Sequence, residues 1–105
     1  MTTNKAAYDC IRSAIAAAQL GFHDAKAAKD GAVFLDIYHK LDDELDEMVA
    51  QSLNASSAAY GALTSGMKSA KKEVSDVLDD IQDIVKATDT ALKIATLFAK
   101  LLAIL

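Results

Sequence analysis

The chain predicts an all-α fold, an antiparallel helical bundle, on three observations. Proline is absent, glycine occurs four times and alanine is abundant, which favours helix and leaves a sheet few turn residues. Hydrophobic residues make up 52% and charged residues 25% of 105, enough for one core and too few for two, so residues 1–105 read as a single domain. The third observation is a ladder at 3,4 spacing that runs from Tyr60 through Met67, Val74, Ile81, Ala91 and Phe98 to Leu105. A helix needs such spacing to keep one face against a neighbour.

The first helix is expected over 4–29. Thr3 or Asn4 supplies its cap, Tyr8, Ile11, Ile15, Ala18 and Phe22 its apolar face, and Asp30-Gly31 the turn that ends it. A seam of small residues, from Ala7 and Ala14 to Gly21 and Ala28, lets another helix approach closely. The second helix is expected over 32–52, burying Phe34, Ile37, Leu41, Leu45 and Met48. It shows water an acidic run, Asp42-Asp43-Glu44 and Asp46-Glu47. Asn54, Ser56 and Ser57 prefer turns and helix starts, so the chain reverses there and a third helix runs over 56–87.

A fourth helix is expected over 89–105, with Thr88 as its cap and Asp89 in its first turn. The alternative is three helices, the last a single rod of about 70 Å at 1.5 Å per residue, which would need another chain to cover it. The four-helix arrangement is preferred, because the Thr88-Asp89-Thr90 cap signal breaks the rod and bundles of this size are common.

The tail from Ala91 to Leu105 carries its polar residues, Lys93, Thr96 and Lys100, on one narrow stripe. The rest of its surface must be buried, in the bundle's own centre, against another chain or on lipid. Fifteen residues fall short of the roughly 20 that a membrane span requires. Charge is uneven as well. Residues 32–53 hold six acids against Lys40 alone, whereas residues 90–105 hold Lys93 and Lys100 and no acid, so the two elements are expected to attract one another.

These features point to a non-enzymatic helical interaction protein, an adaptor, immunity or secretion-partner type of bacterial protein, that self-associates or binds a helical protein partner. The expected interface residues are Leu92, Phe98, Leu101, Leu102 and Leu105 of the tail with Asp42, Asp43, Asp46 and Glu47 of the second helix. The alternative is a membrane-active or hydrophobic-surface-binding protein that releases the helix 91–105. A net charge of −4 with scattered Lys and Arg argues against nucleic acid. The single Cys10 lies among Ala7, Ile11 and Ala14 as a small apolar residue would, and the first residues lack the apolar run of a secretion signal, so a cytoplasmic setting is expected.

Catalytic and cofactor patterns are missing. No serine sits in a Gly-x-Ser-x-Gly turn, and no glycine loop is placed to cradle phosphate. His39 with Asp36, Asp42 and Asp43 is the nearest approach to a metal set, and His23-Asp24 reads as a helix-end pair; neither is expected to bind metal. No enzyme activity, cofactor or metal is therefore expected.

Overall fold

Four helices make up most of the described residues: α1 (Asn4–Asp24), α2 (Ala28–Ala50), α3 (Ser65–Ile84) and α4 (Thr88–Leu102). The structure is a computed structural model that describes residues 2–105. It is the antiparallel four-helix bundle expected, with no rod. Each helix packs on two others, α1 and α3 both lying against α2 and α4, so the bundle is square in section. Helices α2 and α4 stand on one diagonal, and their backbones do not approach. The acidic and basic elements expected to attract one another are thus held apart within the chain.

The core repeats the 3,4 pattern of each helix. Ile11, Ala14 and Ala18 of α1 meet Phe34, Ile37 and Leu41 of α2, Met67, Val74 and Val77 of α3, and Ile94, Phe98 and Leu101 of α4. Gly21 lies against the Phe34 ring of α2, since a Cβ there would clash with it. Of the expected small-residue seam, Gly21 leaves room for an α2 side chain, while Ala25 and Ala28 lie outside α1.

Two helical hairpins, α1–α2 and α3–α4, are built alike. Each opens on a threonine cap: Thr3 accepts from Ala6 N at 3.1 Å and Thr64 from Met67 N at 3.0 Å. Each reverses through three residues, Ala25-Lys26-Ala27 and Val85-Lys86-Ala87, and the two reversals pair with each other. Lys26 N donates to Ile84 O at 2.9 Å, and Lys86 N donates to Asp24 O at 3.0 Å.

That pairing corrects the first boundary. Helix α1 ends at Asp24 and not at residue 29, because the backbone groups of 24–26 bond to the other hairpin. Asp30-Gly31, expected as the turn, falls inside the first turn of α2, where Asp30 suits the positive end of the helix dipole. At the second reversal Ala87, not Thr88, takes the cap position, and its N–H is held by the Asp24 carboxylate at 2.9 Å.

The start of α3 differs most from expectation, at Ser65 where residue 56 was expected. Helix α2 closes with a Schellman arrangement in which Leu53 N donates to Met48 O at 2.8 Å and Ser52 N to Val49 O at 3.0 Å, with Ser52 at φ 56°. The following connection crosses the end of the bundle and pairs with the N-terminal segment. Asn4 N donates to Ala58 O, Lys5 N to Ser56 O and Tyr60 N to Thr2 O, at 2.8, 3.0 and 2.9 Å. Leu53, Tyr60, Ala62 and Leu63 pack onto the core from this loop. The upper rungs of the ladder are therefore buried by a loop and not by a helix.

Glu44 explains where α3 begins. The carboxylate is fully buried and accepts from Tyr60 Oη at 2.7 Å, Leu63 N at 2.9 Å, Thr64 N at 2.9 Å and Thr64 Oγ1 at 2.9 Å. It holds the capping threonine in place, and with it the first turn of α3. This overturns the reading of Glu44 as part of a solvated acidic face. Its position on the series Leu41, Glu44, Met48 puts it on the buried side of α2.

Candidate interaction surface

The structure separates the residues that the sequence offers as an interface. Phe98 and Leu101 have no exposed surface and belong to the core, while Leu102 and Leu105 are half-buried at the end of α4. Of the five tail residues only Leu92 stands out, 55% exposed. On α2, Asp43 and Asp46 are exposed and Asp42 and Glu47 half-buried. These acids do not adjoin the tail, because α2 and α4 are diagonal.

A different apolar surface lies between α1 and α2. Phe22 and Leu35 are 44% and 38% exposed, and with Ala18, Gln19, His23 and Tyr38 they line a groove of about 140 Å³. Phe22 meets His23 edge-on at 5.4 Å, and Tyr38 meets His39 likewise at 5.4 Å, so each aromatic side chain is steadied by its neighbour. Helical spacing carries the surface upward from Leu35 and Tyr38 through Asp42 and Leu45 to Val49, which is 51% exposed. Sequence reading missed it by assigning Phe22 to the core. The available signal was that Phe22 and Leu35 each fall one position off their helix's buried series, Ala18–Gly21 and Gly31–Phe34.

The groove between α3 and α4 is of another kind. Lys68, Ser69, Lys71, Lys72, Ser75 and Asp76 line it with Leu102, around about 510 Å³ of open space. Lys72 is paired with Asp76 at 2.9 Å; the other ion pairs among the described residues are those of Lys40 with Asp36 and Glu73. Lys68 and Lys71 stand unpaired beside Leu102.

Between α2 and α3, Val33, Val77 and Ile84 form an apolar floor flanked by Asp30, Glu73, Asp76 and Asp80, around about 220 Å³. Outside the groove, Lys40 pairs with Glu73 of its lining at 2.6 Å and with Asp36 at 3.1 Å. Burial, with the adjacent Asp36 carboxyl, pushes Glu73 up, and the bond to Glu73 holds the Lys40 ammonium above its ordinary range.

Between α1 and α4, Cys10 is half-buried beside Ser13, Leu97 and Lys100. Burial raises its thiol against the opposing pull of Lys100, so the thiolate is not favoured. His39 and Asp36 do not converge on a cation, since Asp36 is paired with Lys40. Among the described residues no group of three or more His, Cys, Asp or Glu is arranged to hold a metal ion, and no helix is long and apolar enough to cross a membrane. Comparison with known proteins finds no family model, no curated protein and no solved structure that matches this chain.

Proposed function

We propose that this protein is a non-enzymatic helical interaction module that self-associates or binds a helical protein partner. The observation that carries this reading is the α1–α2 groove, where Phe22 and Leu35 keep 44% and 38% of their surface in water although the core beside them is closely packed. Phe22, Leu35 and Val49 share this face, while the other exposed large apolar residues, Leu20 and Leu92, stand elsewhere, and such a cluster is characteristic of a surface that another molecule covers. Of the acids of α2, Asp42 and Asp46 border that face and favour a partner with basic groups, whereas Asp43 and Glu47 follow Asp36 and Lys40 on the side turned toward α3. A cytoplasmic setting suits the single cysteine.

The lipid-binding alternative draws on Leu92, Lys93 and Lys100 of α4. Against it stands the use already made of that helix: Ile94, Phe98 and Leu101 are fully buried, and releasing them would expose three large side chains at about 1.5–3 kcal/mol each. Light scattering on the purified chain, alone and with anionic liposomes, separates the two. The interaction reading expects a mass above the 11.1 kDa of one chain, unchanged by lipid and lowered by Phe22→Asp with Leu35→Asp. A monomer that moves onto liposomes would overturn it.

A further inference from the structure

We infer that the α1–α2 face is covered by the α3–α4 face of a second copy of this chain, the copies stacking side by side with their bundle axes parallel. The inference rests on the interaction reading and names the occupant of its groove. In a square bundle whose neighbours are α1·α2, α2·α3, α3·α4 and α1·α4, these two faces lie on opposite sides of the molecule. One copy can therefore present both.

The faces match in chemistry. On the α1–α2 side Phe22, Leu35 and Val49 are exposed, with Asp42 and Asp46 alongside the upper part. Arg12, which lies over the Tyr8 ring at 5.9 Å, and Lys5 two turns before it are cations of that side, at the α1 edge and away from Leu35. On the α3–α4 side Lys68 and Lys71 are unpaired at one end, next to Leu102. Spacing by 3 and 4 back from Leu102 gives Ala99, Ala95 and then the exposed Leu92. The two alanines leave a shallow row for the larger Phe22 side chain, since a sideways translation sets α1 of one copy against α4 of the next.

They also match in height. Lys40 bonds Glu73, and its stem lies against Gly66, so the backbones of Lys68 and Lys71 stand near the middle of α2, and their side chains lean back toward the start of α3 and the level of Asp42. At the other end the bond from Ala87 N to the Asp24 carboxylate sets the start of α4 level with the end of α1. Leu92 then lies level with Phe22 and Leu35. A sideways translation with no turn brings acid over base and apolar over apolar.

The size is sufficient. The molecule measures 39 × 20 × 19 Å, so a full side face offers on the order of 800 Å², what each partner gives to a standard specific interface. Because the two surfaces differ, the contact is heterologous, and translation leaves both outer faces free to repeat it. The stack grows with concentration instead of closing at two copies.

Sedimentation or light scattering over a dilution series tests this, using the full chain and two variants, Asp42→Lys with Asp46→Lys and Lys68→Asp with Lys71→Asp. The wild-type mass should more than double with concentration and fall back in about 1 M salt, where screening shortens to about 3 Å. Each variant alone should stay near 11.1 kDa. An equimolar mixture of the two should assemble again, since one variant's altered face is complementary to the other's. That recovery cannot be mimicked by a variant that fails to fold. A closed dimer that survives in both variants would overturn the stacking and leave the interaction reading standing. A monomer at every concentration would also overturn it, and would remove the interaction reading too if the chain moves onto liposomes.

Discussion

The ring of Phe34 on α2 lies 6.3 Å from that of Phe98 on α4, centroid to centroid, with the planes tilted by 41°. These two helices share no backbone contact, and the ring pair reaches across the diagonal through the centre of the core. Both rings are fully buried, and Phe34 also fills the space that Gly21 leaves on α1.

Truncating either ring should be among the most damaging single changes in the chain. Phe34→Ala and Phe98→Ala are each expected to cost about 3–5 kcal/mol, measured by chemical denaturation. The gentler pair Phe34→Leu and Phe98→Leu should keep the fold and allow a double-mutant cycle. A coupling of about 0.5–1.5 kcal/mol is expected from the aromatic contact. Strict additivity would mean that the rings merely fill volume independently.

Tyr60 gives the fold an alkaline limit. Burial, then the bond and charge of Glu44, push its phenol pKa far above the ordinary 10.0. A phenol that holds its proton more tightly when folded contributes fully below the unfolded value, and loses that contribution as pH rises past it. The wild type should therefore lose up to about 1.4 kcal/mol per pH unit above pH ~10 from this residue alone. Tyr60→Phe, weaker at neutral pH by about 1–2 kcal/mol for the lost bond to Glu44, should lack this slope and approach the wild type in alkali. Parallel curves for the two proteins between pH ~9 and ~11 would contradict the assignment.

Ser52 holds a left-handed conformation, φ 56°, at the end of α2. Such a conformation costs an L-residue roughly 1–2 kcal/mol, and glycine avoids most of it while losing some of the gain to unfolded-state entropy. Ser52→Gly should stabilise the protein by up to about 1 kcal/mol, raising the thermal midpoint by about 4–8 °C at the upper end of that gain. A fall in the midpoint would mean that the Ser52 side chain matters to the connection.

The helices were legible because each carries its own buried series, and the break before α4 was legible from polar residues that interrupt the ladder. The end of α1 was not. No residue in Ala25-Lys26-Ala27 forbids helix, and the chain reverses there because its backbone bonds to residues sixty positions away. Residues 56–64 misled for the opposite reason, since Tyr60 and Leu63 have helical spacing yet are held as loop by Glu44. Glu44 itself was obscured by acidic neighbours, although its place between Leu41 and Met48 marks the buried side. The exposed groove followed the same logic: Phe22 reads as core by residue type and as surface by its angular position.

The paired bonds between Lys26 and Ile84 and between Lys86 and Asp24 give the molecule two unlike poles. At one pole, neither hairpin can open its turn without unfastening that of the other, so the two reversals form a single cooperative unit. At the other pole the long connection is held by backbone bonds to the N-terminal segment and by the Glu44 carboxylate, with no second helical turn locked to it. Transient opening should begin at that second pole and travel toward the joined turns, which makes the Lys26 and Lys86 amides late exchangers despite their place in loops.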